Sequence, residues 1–324
     1  MKSLRNMTGI YHLIKVQGIV LLLLFSVSNQ TFAHPVAEPT HVSFVVSRTS
    51  EPYQKVVAVV QAALFNNHYS FSEIHQSAIN DIENALVTAD IIVTVGAGAA
   101  AQVMSLNPTV QVIASLITDS AFASLAEKHY GSTKAAFSAG VSLICLDQPV
   151  QRSIKLAKAL IPEARSAGLM LGPASHQNAG MLSSQVKKAG MVSEIIKVSA
   201  TENPILIIEP VLKKSDIFIP VPDSRLINIA TAKWILQLSY RYRVPVIAYS
   251  KAYLNGGALA AIYSSPENVG RQTADLIIEG KRISDNGARH RPAYFSIEFN
   301  SSVAAYLGVD LKPKQYYLDW LGAE

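Results

Sequence analysis

Residues Pro245–Gly280 have the sequence PVIAYSKAYLNGGALAAIYSSPENVGRQTADLIIEG. The segment begins with a short apolar strand, Val246–Ala248, which breaks into the polar loop Tyr249–Lys251. A second apolar run follows, and a helix then extends from about Glu267 to Gly280, a residue type that often ends helices. A strand, a polar loop and a helix in this order predict one unit of an α/β fold.

Two adjacent glycines, Gly256 and Gly257, separate the loop from the second apolar run. Glycine can adopt positive φ angles and allows close packing. We therefore expect the segment to cross between two lobes, with these glycines as a hinge and a ligand bound where the lobes meet. On this view, Gly257→Val should impair closure more than folding.

Strands and helical patterns alternate along most of the remaining chain, which predicts parallel sheets built from βαβ units. The clearest predicted strands are Val42–Val46, Ile91–Val95, Val110–Leu116, Gly168–Leu171 and Ile217–Val221. Continuous apolar runs of this kind are typical of buried parallel strands.

Two distant parts of the chain have a similar build. Asp90–Val95 precedes the turn 96–98, and Asp216–Val221 precedes the loop 222–224. Any two βα units can look alike, but the similarity favours two Rossmann-like lobes. We expect residues 34–142 plus about 254–324 to form lobe one and residues 143–253 to form lobe two.

The first 33 residues have the pattern of a cleavable signal peptide. A basic start is followed by the apolar run Ile19–Val27 and by Thr31-Phe32-Ala33, which predicts cleavage before His34. A membrane anchor is the alternative, but this run is shorter than the roughly 20 residues that span a bilayer. The pattern predicts export to the periplasm.

Composition limits the function further. The chain has 324 residues, of which 49% are hydrophobic and 16% charged, as in core-rich globular proteins. Without residues 1–33 its net charge of +5 falls to +2, which is weak evidence for a nucleic-acid partner. Cys145 is the only cysteine, so an intramolecular disulfide is excluded.

Residues 96–101, Gly-Ala-Gly-Ala-Ala-Ala, fit the G-x-G-x-x-A dinucleotide pattern, and Asp119 follows about 20 residues later. The unit lies late in its lobe, and nicotinamide cofactors are scarce outside the cytoplasm. We interpret the glycines as a structural turn or small-ligand contact and expect no cofactor. The histidines and the single cysteine show no metal-binding spacing, and no Gly-x-Ser-x-Gly nucleophile motif is present.

In α/β sheets, ligands bind beyond the carboxyl ends of the strands. The polar loops at these ends supply the candidate ligand-binding residues Ser47, Arg48, Thr49, Gly96, Ala97, Thr118, Asp119, Pro173, Ser175, Asp223, Ser224, Tyr249 and Ser250. These loops contain no catalytic constellation, so the pattern favours binding over catalysis.

Each candidate also has a structural interpretation. Asp119 and Asp223 could act as a general acid and base, but capping or ligand contact is more typical of loop carboxylates. Arg48 and Lys251 could bind a carboxylate or remain solvated. Tyr249 could stack on a ligand or pack internally.

Several segments resemble the periplasmic substrate-binding proteins of ABC transporters, in the group with the class I periplasmic-binding fold that includes tryptophan and other aromatic amino-acid binders. They are KLAKALIPEARSAGLMLGP (155–173), IFIPVPDS (217–224), GGALAAIYSSPENVGRQTADLIIEGK (256–281) and FSIEFNSSVAAYLGVDLKP (295–313). The resemblance covers residues 140–313 well and 42–139 loosely.

The resemblance implies two lobes, three crossovers and a ligand enclosed by hinge closure. Thr118-Asp119, Asp223-Ser224 and Tyr249-Ser250 match ligand-site loops of that family. Pro173 and Ser175 match a further loop, in which Gly172 replaces the usual Asn.

We therefore expect a monomeric, non-enzymatic component of an ABC importer. It would bind a small polar or amino-acid-like ligand and deliver it to an inner-membrane permease and its ATPase. One alternative is a sensor that reports occupancy to a membrane receptor or kinase. Another is an exported enzyme using Asp119 or Asp223.

Overall fold

The computed structural model describes residues 39–65, 67–199, 201–223, 225–280 and 286–322. The predicted signal peptide and Ser224 lie outside these residues. Within them, Thr40 and the residues after it belong to a single compact unit.

The first sheet has six strands, and every neighbouring pair is parallel. Its members are β1 (Thr40–Val46), β2 (Tyr69–His75), β3 (Ile91–Val95), β4 (Gln111–Ile117), β5 (Val141–Cys145) and the late strand β11 (Arg289–His290), in the order β11-β5-β4-β3-β1-β2. The predicted strand Ile91–Val95 is confirmed at both ends, and the two neighbouring predictions are confirmed within two residues.

The second group of strands forms two three-stranded sheets with the orders β7-β6-β8 and β12-β10-β9. Their strands are β6 (Ser166–Leu171), β7 (Val192–Lys197), β8 (Ile217–Phe218), β9 (Ile247–Ala248), β10 (Ala260–Tyr263) and β12 (Ser296–Phe299). A bridge between Phe218 and Val246 links the two sheets, so they act as one layer. Only the β10–β12 pair in this layer is antiparallel.

Strand β8 is shorter than the predicted Ile217–Val221. Ile219 still donates its backbone N–H to Gly168. Pro220 and Pro222 have no N–H to donate, so the ladder cannot continue through them.

Helices join and cover the strands. They are α1 (Glu51–Leu64), α2 (Ile79–Thr88), α3 (Ala97–Ser105), α4 (Asp119–Tyr130), α5 (Thr133–Ser138), α6 (Val150–Leu160), α7 (Ala179–Lys188), α8 (Pro204–Lys213), α9 (Ile229–Tyr242), α10 (Lys251–Asn255), α11 (Pro266–Glu279), α12 (Ser301–Leu307) and α13 (Lys314–Gly322), with a 3-10 turn at His176–Asn178. In the described part of the chain, none of them has the length and apolarity needed to cross a membrane.

The core follows the two faces of each layer. In β1, Phe44 and Val46 pack with α1 and α11 on one face, whereas Val45 joins α2 and α3 on the other. This alternation is the period of a strand buried on both sides. The fold is therefore α/β, with two Rossmann-like lobes built on parallel sheets, as predicted.

The chain passes between the two layers after β5, after β10 and after β11. Helix α11 follows β10 but packs on α1 of the first layer, where a Cβ added to Gly270 would lie 2.8 Å from Val59 Cβ. Residues 254–324 are thus divided between the layers, since β10 and β12 pair in the second and β11 in the first. This pairing differs from the expected assignment of the whole segment to lobe one.

Candidate ligand-binding site

The carboxyl ends of the strands in both layers carry the polar loops that the sequence singled out. On the first layer, Ser47 follows β1, Gly96 follows β3 and Thr118 follows β4. Ligands of open α/β sheets bind at such edges. The candidate site is therefore built from two edges, one on each layer.

The turn at Gly96 is fixed by its backbone and by close neighbours. Gly96 has φ 94°, and a Cβ there would lie 2.6 Å from Tyr53 Cε1 and 2.7 Å from Ser47 Oγ. Ser47 Oγ accepts the backbone N–H of Ala99 at 2.8 Å. The buried Ser47 thus occupies part of the N-terminus of α3 that an anion would need. The geometry favours the structural interpretation of this turn.

Two carboxylates meet at the ends of β4 and β5. Asp119 donates its backbone N–H to Asp147 Oδ2 at 2.7 Å. Asp119 Oδ1 lies 3.2 Å from Arg289 Nη2, so β11 supplies a cation to the same edge. Thr118 caps α4 by accepting the N–H of Ala121 at 3.3 Å.

Asp147 was not among the residues singled out from the sequence. Burial, and to a smaller degree the charge of Asp119, raises the pKa of this carboxyl above its usual range. Burial and the charge of Asp147 also raise the pKa of the neighbouring Cys145 to about 12, which leaves the thiol protonated. The signal was available in the sequence, because Asp147 directly follows an apolar run and Asp119 follows another one after a single threonine.

On the second layer, Ser175 and Asp223 form a buried pair. Ser175 Oγ donates to Asp223 Oδ2 at 2.7 Å, and the Arg225 backbone N–H donates to Oδ1 at 2.9 Å. A Cβ at Gly172 would lie 2.8 Å from Asp223 Cγ, which explains glycine where the similar family usually has Asn. Asp223 is only 5% exposed, so its hydrogen bonds hold the two loops together.

Tyr249 and Tyr253 add an aromatic pair beside this edge. Their ring centroids are 5.3 Å apart with the planes tilted by 59°. Burial, with a smaller contribution from the charge of Asp147, raises the pKa of Tyr249. Ser250 begins α10 but makes no capping hydrogen bond through its side chain.

The remaining residues that the sequence singled out lie at the margins of the two edges or are paired elsewhere. Arg48, Thr49 and Ala97 are exposed at the first edge. Pro173 is half-buried beside Gly172. Lys251, weighed as a carboxylate-binding residue, lies 3.1 Å from Glu298 Oε1 and is paired.

Gly256 and Gly257 do not lie on a passage between the layers. They connect α10 to β10, and the strands on both sides of this connection pair with each other in the second layer. Gly257 has φ 113°, so it serves a turn within the layer. This position does not suit the predicted hinge.

The three passages are instead tied to one another by Gln148, Arg152 and Ser264, which we call the passage cluster. Gln148 Nε2 donates to Ser264 Oγ at 2.7 Å and to the Tyr294 carbonyl at 3.3 Å. Ser264 Oγ donates to the Leu146 carbonyl at 2.9 Å. One residue from each passage therefore shares a single hydrogen-bond network.

Arg152 extends this network. Its Nη1 donates to Gln148 Oε1 at 2.7 Å and to the Pro292 carbonyl at 2.8 Å. Its guanidinium also lies 4.7 Å from the centre of the Phe295 ring. The passage cluster joins segments more than 100 residues apart in sequence.

Comparison with known families identifies the class of protein. Residues 60–311 match the family described as ABC transporter substrate binding protein. The match covers well over half of the chain, and the chain belongs to this family. Curated protein sequences give no significant match.

Solved structures show the same fold at low sequence identity. A ligand-free, open substrate-binding protein with adhesive properties from Clostridium difficile is 16% identical, with a TM-score of 0.65 over 85% of this chain and 96% of its own. A domain from Streptococcus pneumonia in complex with L-Trp is 19% identical, with a TM-score of 0.53 over 86% and 98%. A mutant XylFII–LytSN complex has a TM-score of 0.56 at 10% identity over 82% and 99%.

The chain is thus a substrate-binding protein of the ABC type. Its family and these structural relatives are described by binding, not by catalysis. Within the described residues, no group of His, Cys, Asp and Glu side chains is arranged to hold a metal ion.

Proposed function

We propose that this chain is the periplasmic solute-binding component of an ABC importer and that it closes on a small polar or amino-acid-like solute. The observation that carries the proposal is that both layers have interacting polar side chains at the carboxyl ends of their strands. Asp119 and Asp147 interact on one layer, and Ser175 and Asp223 interact on the other. Three passages connect these layers, which suits a ligand held between two lobes.

The proposed contacts are the candidates from the sequence together with Asp147. Asp119 and Asp147 bring two carboxylates and one cation, Arg289, to the first edge. When both carboxylates are ionised, this edge carries an excess of one negative charge, which favours a ligand that carries an ammonium group. Tyr249 offers an aromatic face to the same region, which also suits a cation or an aromatic ring.

The lobes are proposed to follow the strand pairing. Residues 40–146 and 264–291 would form lobe one, and residues 147–263 and 292–322 would form lobe two. The passage cluster would then be the hinge. A ligand that touches both edges only in the closed form shifts the population towards that form.

The proposed location and partners follow from the export signal and the family. The signal pattern in residues 1–33 supports a periplasmic location, and sequencing of the exported protein should find His34 first. The partners would be an inner-membrane permease and its ATPase. A sensor would bind ligand in the same way but would co-purify with a membrane receptor or kinase instead.

A ligand screen tests the binding function. The purified protein from His34 onward is heated with single L-amino acids, short peptides, sugars or purines, and unfolding is followed by dye fluorescence. A ligand present at 100 times its Kd adds about 2.7 kcal/mol to the free energy of unfolding. We expect this shift from an amino acid or another ammonium-bearing solute.

The screen has two informative failures. If sugars alone stabilise the protein, binding is retained but the ammonium-bearing class is wrong. If no compound raises the melting temperature, the proposal of a solute-binding protein is contradicted. A solute consumed during incubation would support the enzyme alternative.

A further inference from the structure

A groove outside the candidate ligand site lies along α9 and α10. It has a volume of about 1140 Å³ and is lined by both helices and by Val303 of α12. At one end are Asn228 and Ser250, which begin α9 and α10. The groove therefore starts near the proposed ligand edge and extends along the outside of the second layer.

The wall of the groove is apolar where a soluble surface is usually polar. Ile229 is 89% exposed, Tyr240 is 62% exposed and Trp234 is 40% exposed. Ile229, Lys233, Leu236 and Tyr240 recur at the spacing of one helix face. The opposite face of α9 buries Ile235 and Leu238 in the core. On the groove side, Leu236 packs against the core and Tyr240 stacks on Tyr306 with ring centroids 4.4 Å apart. Ile229 and most of Tyr240 nevertheless stay exposed.

The shape of the groove is concave because small residues lie opposite α9. A Cβ at Gly256 would lie 2.7 Å from Leu236 Cδ1, so the α10 turn approaches α9 closely. A Cβ at Gly257 would meet no atom within 4 Å, which leaves open space beside it. An amphipathic helix of a partner fits a concave apolar groove of this kind better than a partner with a flat surface does.

Both charged residues that line the groove are cations, although the carboxylate of Glu209 on the neighbouring helix α8 lies near one of them, Arg241. Residues 225–266 contain five Lys and Arg residues and no Asp or Glu, although the remainder of the chain has equal numbers of cations and carboxylates. Two of these cations, Lys233 and Arg241, line the groove itself. They are eight residues apart on α9, about 12 Å along its axis. The complement of this surface is an apolar helix flanked by carboxylates.

We infer that the groove between α9 and α10 binds an acidic amphipathic helix of a partner protein. The helix places its apolar face against Leu236 and Tyr253 and its carboxylates beside Lys233 and Arg241. Exposed residues such as Ile229 make a small ligand a poorer fit, because small-molecule sites bury most of their ligand. This surface does not depend on which solute the protein carries.

The test uses a 14-residue helical peptide with capped ends, leucines on one face and two glutamates eight residues apart. Binding to the full protein from His34 onward is followed through the fluorescence of Trp234, in a Trp320→Phe background. We expect saturable binding that a peptide with lysines in place of the glutamates does not show.

Charge reversal is the decisive variant. Lys233→Glu with Arg241→Glu should weaken peptide binding at least tenfold, since it turns two attractive contacts into repulsive ones. The matched control is Lys128→Glu with Lys134→Glu, two exposed lysines on α4 and α5. The control should bind the peptide like the parent protein.

A second pair of variants tests the apolar contact. Ile229→Ser should weaken binding, whereas Val87→Ser, at a similarly exposed position on α2, should not. Equal binding by the reversed and control proteins would overturn the inference. So would binding to phosphatidylglycerol vesicles without binding to the peptide, which would indicate a membrane surface, or self-association in sedimentation as the only interaction.

Discussion

Asp147 illustrates how one residue couples stability to the proposed function. Burial raises its pKa in the folded protein, although the hydrogen bond from the Asp119 N–H opposes the shift, so the folded state binds this proton more tightly than the unfolded chain does. Stability therefore falls as the pH rises from the ordinary carboxyl pKa of about 4 through the raised value. This destabilisation is absent below the ordinary pKa and grows as the pH rises towards and through the raised value.

We predict that Asp147→Asn raises the melting temperature at pH 7. Asparagine keeps an oxygen for the Asp119 N–H but cannot ionise. The difference from the parent protein should shrink as the pH falls towards 3, where both side chains are neutral. Melting curves at several pH values measure it, with Asp310→Asn, an exposed carboxylate paired with Lys312, as the control. A stabilisation independent of pH would contradict the explanation.

At the scale of elements, the turn after α10 gives a second prediction. Gly257→Val should destabilise the fold by about 1–2 kcal/mol, because φ 113° is strained for a β-branched residue. Ligand affinity should change little, since both flanking strands lie in one layer. Urea unfolding and calorimetric titration measure the two effects. A normal free energy of unfolding with impaired binding would restore the hinge interpretation of Gly257.

The control for this substitution is Gly180→Val. Gly180 lies in α7, where a Cβ would meet no atom within 4 Å and φ is not positive. It therefore tests valine in open space without the backbone strain. Gly180→Val should lower the free energy of unfolding by less than Gly257→Val does.

The passage cluster gives a third prediction. Gln148→Met keeps the length of the side chain but removes its hydrogen bonds to Ser264, Tyr294 and Arg152. The loss of partners for buried polar groups should cost about 1–3 kcal/mol. Hydrogen exchange should also become faster in the three passages. Gln177→Met, on the exposed 3-10 turn, is the control. If Gln148→Met leaves hydrogen exchange in the three passages unchanged, the passage cluster does not hold the passages together.

Sequence patterns revealed local elements but not the contacts between distant ones. The strand Ile91–Val95 is a continuous apolar run with clear ends, so its bounds could be predicted. Gln148 and Ser264 are 116 residues apart, and no periodicity relates them. The pairing of β10 could not be predicted from the sequence either. This strand pairs with β9 in the second layer, although the next helix, α11, packs on the first layer. Pairing of this kind depends on the whole fold.

The candidate site was predictable to a similar degree. Ser175 and Thr118 follow strands whose ends could be located, so their placement at the sheet edges could be expected, whereas the strand before Asp223 ends three residues earlier than predicted. What these side chains contact could not be. Ser175 holds Asp223 and Thr118 caps a helix, and a loop sequence does not distinguish such a role from ligand contact.

At the scale of the whole molecule, the two edges and the passage cluster have one combined consequence. A ligand bound to a single edge would leave the lobes free, whereas a ligand that bridges both edges adds its binding free energy to the closed form. A measurement of ligand affinity alone does not show whether the ligand contacts one edge or both. Substitutions on the two layers, compared with the shape of the molecule in solution, separate the cases.

We predict that a saturating ligand lowers the radius of gyration measured by small-angle scattering, because closure brings the lobes together. Tyr249→Ala on the second layer and Asp119→Asn on the first should each weaken binding by about tenfold, as expected for the loss of roughly 1.4 kcal/mol. At ligand concentrations that saturate only the parent protein, both variants should keep the larger radius. If one substitution leaves affinity unchanged and the radius still falls, the ligand is held by other residues. If saturating ligand leaves the radius of the parent protein unchanged, closure is not the functional event.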